Sequence, residues 1–338
     1  MKYTCTCFLL LMLWSHGKAQ DIHFSQFHEL PLLRNPALAG IFRGDFRITS
    51  AYRSQWQSVT VPYRTQALGV ECRKAVSNAD HLVIGLQISN DIAGDSKMGK
   101  TQVLPLLAFN KSLGAEKNSY LTVGFMGGGV QQRFDPSQLK MDDQFVNGAY
   151  SPSNPTRESF KNTSKIYADL NAGLSFSSSA RNAEFYIGAA YFHLTKPHVA
   201  FSAENDIILN PKMVLNAGLN MILQNQDKLI FYGDYFTQGG NKLSQFGLFY
   251  RHNLSQPRDD NEFLSLTMGT AFRWKDAFIP VIRLDYYHLG VGLSYDINNS
   301  KLAMASKSQG AFELTLSYRN LWHPFNGANG NTKCPAMF

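Results

Sequence analysis

The sequence predicts an all-β fold: a transmembrane antiparallel β-barrel of about 14 strands in a bacterial outer membrane. Three observations point to it. First, the stretch KIYADLNAGLSFS alternates. Ile166, Ala168, Leu170, Ala172, Leu174 and Phe176 are apolar, and Tyr167, Asp169, Asn171, Gly173 and Ser175 between them are polar or small. A period of two marks a strand with two unlike faces, and about ten residues is the length at which a tilted strand crosses a bilayer. Second, this pattern returns many times, and an even strand number suits a single-chain barrel. Third, beyond the amino-terminal end nothing approaches a run of about eighteen apolar residues, so no helix is long enough to span a membrane.

Residues 1–19 read as a secretory signal peptide. Met1-Lys2 leads into the apolar block Phe8 to Trp14, and Gly17 and Ala19 are spaced as at a cleavage site, which places cleavage before Gln20. Residues 20–42 form a lead-in, periplasmic or luminal. Asn35-Pro36 and Gly40 supply turn chemistry there, because Pro fixes φ and Gly permits positive φ. Phe24, Phe27, Leu30, Leu32, Leu33 and Leu38 in this lead-in need burial, either inside the barrel or flat against its periplasmic rim.

The barrel is expected over residues 43–319, with strands at 43–53, 63–74, 82–90, 101–111, 119–132, 165–177, 182–193, 212–223, 227–237, 242–251, 262–273, 277–286, 288–297 and 310–319. Alternation is plain in 212–223, where Met213, Leu215, Ala217, Leu219 and Met221 oppose Asn216, Gly218 and Asn220. In 310–319, Phe312, Leu314, Leu316 and Tyr318 oppose Glu313, Thr315, Ser317 and Arg319. An apolar face directed outward, with Asp, Asn, Glu and Arg directed inward, suits a barrel in lipid, and a membrane sheet must close because hydrocarbon satisfies no backbone amide. The two longest connections, 133–164 and 194–211, fall on the same end, as expected if both termini are periplasmic and long loops face outward; the link 252–261 breaks that rule. Aromatic pairs near strand ends, Tyr52 with Trp56, Phe272 with Trp274, Tyr286 with Tyr287 and Tyr318 with Trp322, suit an interfacial girdle. A soluble sandwich or propeller also yields alternating strands, but its strands are shorter and no propeller-length repeat occurs. Residues 320–338 remain as a periplasmic tail.

The formal charge of +7 falls to +5 without the signal, since residues 1–19 hold Lys2 and Lys18 and no acid. No basic helix or zinc knuckle accompanies this balance, so nucleic acid is not expected as a partner. The mature chain keeps Cys72 and Cys334, too remote in sequence for a metal cluster, although they could pair in an oxidising compartment. Enzyme chemistry finds no footing. The nine His are scattered and none stands in H-E-x-x-H. His193 and His198 read as loop residues around Pro197. Gly127-Gly128-Gly129 lacks the Lys-Ser/Thr of a phosphate loop and marks a bulge or close packing against something in the lumen. The acidic run 259–262 lacks the alternating ligands of a calcium loop. Asp169, Asp234, Asp285 and Glu313 face the lumen, where pairing with Arg283 and Arg319 would give a rigid, filled interior. No catalytic, cofactor-binding or metal residue is assigned.

A set of segments carries a resemblance. The mature start reads Gln20-Asp21-Ile22-His23-Phe24-Ser25-Gln26-Phe27, then Asn35-Pro36-Ala37-Leu38-Ala39-Gly40, then Tyr52-Arg53-Ser54-Gln55-Trp56, with Asp91-Ile92-Ala93-Gly94, Gly292-Leu293-Ser294-Tyr295-Asp296 and a terminal Cys334-Pro335-Ala336-Met337-Phe338 further on. In this order they resemble the PorP/SprF family of type IX secretion system outer-membrane proteins; the ending carries one residue more than the family's C-P-x-F. The resemblance implies a non-catalytic barrel that binds the C-terminal region of a secreted surface adhesin and supports its export and anchoring. It leaves open a core role against the periplasmic ring or a peptidoglycan-linked protein. A small-molecule channel of the fatty-acid-transporter kind is the rival on strand number. Candidate contact residues are Tyr52, Arg53 and Trp56 at the outer end of the first strand, Phe134, Met141, Phe145, Tyr150 and Phe160 in the long loop, and Cys334 and Phe338 in the tail. The loop aromatics could equally fold over the barrel's own mouth, and Tyr52 and Trp56 could be plain girdle residues.

Overall fold

The computed structural model describes residues 21–320, except for 58–60, 78, 115–117, 159, 161, 202–206, 255–263 and 300–308. The signal peptide, the acidic run and the tail with Cys334 and Phe338 lie outside the described residues.

Fourteen antiparallel strands close into one barrel. They are β1 (Phe46–Gln55), β2 (Tyr63–Ala75), β3 (His81–Ala93), β4 (Met98–Leu113), β5 (Ser119–Arg133), β8 (Ser164–Ser179), β9 (Ala183–Phe192), β10 (Lys212–Ile222), β11 (Lys228–Gln238), β12 (Asn241–Asn253), β13 (Leu264–Arg273), β14 (Ala277–Tyr286), β15 (Leu289–Asn298) and β16 (Gln309–Asn320). The two-residue strands β6 (Phe145–Val146) and β7 (Ala149–Tyr150) make a separate hairpin in the long loop. Closure runs along the whole of β1, from Phe46↔Asn320 to Gln55↔Ala311. With no free edge, every strand finds its ladder partners inside the protein, which hydrocarbon demands.

The alternation read from the sequence is the alternation of the wall. Leu215 is 58% exposed while its neighbours Val214 and Asn216 are 3% and 2% exposed. Ile84, Phe125, Ile187, Phe246 and Met268 repeat the outward pattern, and buried Gln87, Thr122, Asn171, Thr267 and Glu313 the inward one. Among the described residues no helix is long and apolar enough to cross a membrane. An apolar outer belt over a polar inner face is what lipid outside and protein inside require.

The first strand starts at Phe46, three residues later than the sequence suggests. Gly44 takes φ +116°, and a Cβ there would stand 2.8 Å from the Asn320 carbonyl oxygen, so the chain bends past the end of β16 before pairing begins. The Gly127–Gly129 run lies in β5 where its ladder with β4 is interrupted, between Val103↔Gly129 and Leu106↔Met126. Pro105 sits in that gap with no N–H to donate, and a Cβ on Gly128 would meet the Val103 carbonyl oxygen at 2.2 Å. The close packing here is therefore against the neighbouring strand.

Candidate functional site

The lumen is filled by the chain's own residues 21–42. This strap bends through a 3-10 turn (Phe27–Glu29), a single helical turn (Pro31–Arg34) and a second 3-10 turn (Pro36–Leu38). Pro31 and Pro36 open the two later turns with φ already set, and the Asn35 side chain accepts from the Ala37 N–H at 2.8 Å. Of its apolar residues, Phe24, Phe27, Leu30, Leu32, Leu38, Ile41 and Phe42 are 5% exposed or less, while Leu33 and Ile22 are half-buried against the cluster of Phe24 and Leu30. Each such burial contributes roughly 1.5–3 kcal/mol for a full-sized side chain. Phe27, Leu38 and Ile41 share a cluster with Tyr186, Ile230, Tyr232 and Phe249 of the wall.

Charges on the wall meet the strap at four levels. At the first, Lys100 and Lys212 donate to the Asp21 carboxylate at 2.7 and 3.3 Å, and His193 joins Asp21 to Asp169 at 2.9 and 2.8 Å. The Asp21 N–H donates to the Gln238 side-chain oxygen at 3.1 Å. At the second, the Ser25 and Gln26 N–H groups donate to Glu313 at 2.8 and 2.7 Å, and Arg53 reaches Asp296 and Glu313 at 2.9 and 3.2 Å. At the third, Arg34 makes a two-pronged pair with Asp234 at 2.7 and 2.6 Å, and Arg283 bridges Glu29 and Asp285. At the fourth, Asn35 donates to the Leu174 and Ala189 carbonyls at 3.3 Å each, Ser175 to the Ala37 carbonyl at 2.7 Å, and the Gly40 N–H to Glu71 at 3.0 Å. Gly124 and Gly173 make this last approach possible: a Cβ on either would lie 2.4 Å from the Pro36 carbonyl oxygen or 1.9 Å from the Asn35 side-chain oxygen. Desolvation offsets much of the attraction in buried pairs of this kind, so they add little net stability, but leaving one partner alone is costly.

Between the strap and β10–β12, lined by Phe24, Phe27, Lys212, Phe236 and Gln245, lies a cavity of about 40 Å³. That admits water and excludes an organic cargo.

The candidate contact residues separate in space. Arg53 does not stand at the outer surface; it is 2% exposed and points into the lumen, because the inward face of β1 is Arg47, Thr49, Ala51 and Arg53. Tyr52 faces the other way, half-buried, and Trp56, at φ +61°, stands edge-on to Tyr63 with ring centroids 4.6 Å apart. In the long loop Phe134 packs edge-on against Phe160 at 5.0 Å and against Phe201 of the 193–211 connection at 4.7 Å, so the two long loops are joined by one aromatic cluster. Phe145 and Tyr150 face each other across the β6–β7 hairpin at 5.8 Å, and Phe145 remains 47% exposed. Met141 is half-buried and its N–H donates to the Gln144 side chain. His193 departs from the loop role expected of it: it is 1% exposed and faces the lumen. Asp21, Lys100 and Lys212 were not singled out as a group from the sequence. Their signal was the inward parity of lysines at strand ends, Lys212 sharing a face with Val214 and Asn216. Among the described residues no group of His, Cys, Asp and Glu is arranged to hold a metal ion.

A family model described as type IX secretion system membrane protein PorP/SprF matches residues 16–318. The chain belongs to the PorP/SprF family. It is thus a type IX secretion system membrane protein, with the barrel of an outer-membrane protein. Among curated sequences no protein matches it. Solved structures similar to this PorP/SprF barrel include the toluene transporter TbuX of Ralstonia pickettii, at 10% identity and TM-score 0.47 over 87% of this chain and 94% of that one. The CymD monoaromatic hydrocarbon channel matches at 12% identity and TM-score 0.44 over 91% and 95%. CdiB from Acinetobacter baumannii matches at 10% and 0.42, covering 81% of this chain; the chain spans 60% of CdiB's length.

Proposed function

We propose that this PorP/SprF protein is a non-catalytic holder that binds the C-terminal region of a secreted surface adhesin at its loop-rich mouth, supporting the adhesin's export and its anchoring at the cell surface. The reading rests on the lumen occupied by residues 21–42. A barrel whose interior is packed has only its rims left to act through. At the rim with the long connections, taken to face outward on loop length, Phe145, Val146, Ile207 and Ile208 are exposed by 46–56%. The aromatic cluster of Phe134, Phe160 and Phe201 braces the two loops that carry them. Exposed apolar side chains on a braced surface favour a protein partner. Tyr150 faces Phe145 on this surface, Tyr52 and Trp56 stand toward the same end of β1, and the tail residues Cys334 and Phe338 would serve a contact on the opposite rim.

Replacing 134–163 by a short Gly-Ser link tests the reading. The barrel should still migrate as a heat-modifiable folded species, and capture of the adhesin's C-terminal region by cells should be lost. Capture by the shortened protein would refute it. A core role against the periplasmic ring would leave capture unchanged and instead break export of every type IX substrate.

A further inference from the structure

We infer that the strap is threaded through the barrel so that the amino-terminal end of the chain emerges at the loop-rich mouth, and that Lys100, Lys212 and His193 form a clasp that holds it there through Asp21. The order of contacts along the strap carries the inference. Lys100 is the third residue of β4, Lys212 the first of β10 and Gln238 the last of β11, while His193 directly follows β9. All four positions lie at the end of the barrel where 94–97, 193–211 and 239–240 connect the strands. Arg53, Arg273 and Asp296, which meet Ser25, are also near that end of their strands. The strap then descends. At mid-wall His28 stacks on Tyr232 and Arg34 pairs with Asp234, both in the middle of β11, and lower still the Gly40 N–H donates to Glu71. At the far end Arg73 donates to the Phe42 carbonyl at 3.3 Å, and the Asp45 N–H donates to the Asn320 carbonyl at 3.0 Å. β1 therefore begins at one rim while Asp21 sits at the other.

The clasp is built for one carboxylate. Two ammonium groups and an imidazole converge on Asp21, and the imidazole is backed by the buried Asp169. The Lys212 ammonium also lies 4.7 Å from the centre of the Phe192 ring, which steadies it. Sliding the strap by one residue would place Ile22 among these cations and Phe27 where Gln26 meets Glu313 and Thr315, so the register is set by charge as well as by fit. Asp21, where the strap starts, thus lies at the rim that carries the long loops. This extends the proposed function by adding the amino end to the partner-facing surface, and it borrows from that reading only the direction in which the mouth faces.

The test uses single-cysteine chains in which Cys72 and Cys334 are changed to Ser. Q20C reports the amino end, K140C the long loop and K74C the short-turn rim. Intact cells are treated with a membrane-impermeant maleimide, and heat-modifiability confirms that each barrel is folded. Q20C should label as fully as K140C, with K74C labelling only after the outer membrane is permeabilised. Q20C labelling only together with K74C overturns the threading. K140C requiring permeabilisation while K74C does not would overturn the outward direction of the mouth instead. A short epitope placed between Gln20 and Asp21 gives the same reading by antibody if Q20C fails to assemble. For the clasp, K100M/K212M should let proteinase added to intact cells cut between residues 21 and 26, where the unaltered chain resists; K100M alone serves if the double variant does not fold. Equal resistance in a folded variant overturns the clasp.

Discussion

Arg34→Met is the sharpest probe of the packed lumen. Methionine keeps an apolar stem of similar reach against Phe27, Tyr186 and Tyr232, whose ring centres lie 5.1, 5.6 and 5.8 Å from the guanidinium carbon, while it deletes the charge. Asp234, whose side chain is 5% exposed, is then left without its two-pronged partner. Removing one member of a buried pair costs about 3–5 kcal/mol. That is roughly a hundred- to several-thousand-fold in the folded-to-unfolded ratio. D234L should cost a similar amount, because it strands the guanidinium. The double variant R34M/D234L carries no stranded charge and should recover most of the loss, since an apolar replacement of a buried pair is often neutral. Urea unfolding of the purified barrel in detergent, followed by band shift and tryptophan fluorescence, gives all four corners of the cycle. A double variant as unstable as the sum of the two single ones would mean that the residues do not meet, and that the strap is not seated where the geometry puts it.

The glycines facing Asn35 and Pro36 give a steric counterpart: G124V should expel the fourth level of the strap and lower the heat-modifiable fraction, whereas V123A on the lipid face of the same strand should not. In planar bilayers the full-length barrel should pass no steady ionic current, since its interior is occupied; single-channel steps of porin size would contradict a filled lumen. At the turn before β11, the Asp227 carboxyl is held down to about 2 by the Tyr250 hydroxyl, the Asn253 N–H and His252. Its folded value lies below its unfolded one, so its stabilising contribution is complete above the ordinary aspartate value of 3.8 and fades as pH falls through about 2. A carbon-13 titration of Asp227 with a midpoint near 4 would remove that account, and D227N should abolish this acid-dependent part of the unfolding curve.

The wall was legible because lipid outside and protein inside impose one alternation for ten or more residues at a time. Thus Ala277–Tyr286 matches its expected range at both ends. The start of β1 was less legible, since residues 43–45 continue the pattern and only the approach of Asn320 to Gly44 interrupts it. The need to bury Phe24, Phe27 and Leu38 was readable; their destination was not. It depends on pairs such as Arg34 with Asp234, which lie 200 residues apart in the chain, and no local periodicity connects them. Arg53 was misplaced for a different reason. Its neighbours Tyr52 and Trp56 suggested an interfacial position, but parity was the better guide, because Arg47, Thr49, Ala51 and Arg53 share one face of β1. His193 shows the limit of reading loops from Pro and turn chemistry: one residue past the end of β9 it takes φ +61°, and that turns its ring inward.

A packed interior also bears on what the mouth can withstand. The Asp21 clasp ties β4, the end of β9, β10 and β11 to one point, while the Ser25–Glu313–Asp296 cluster ties β1, β13, β15 and β16 to a point a few residues along the same strap. Opposite walls are therefore braced through the lumen, so a pull on one loop is shared by strands around the circumference and not taken by a single hairpin. A conduit would suffer from such bracing, because each cross-tie blocks the path; a protein that holds a partner in place gains a mouth of fixed shape. The strands and the strap are matched to each other at Gly124, Gly173 and Gly292, where a Cβ would strike Pro36, Asn35 or Gln26. Small inward residues on the wall make sense only with the strap in place, so the filled state is the one for which this barrel is shaped.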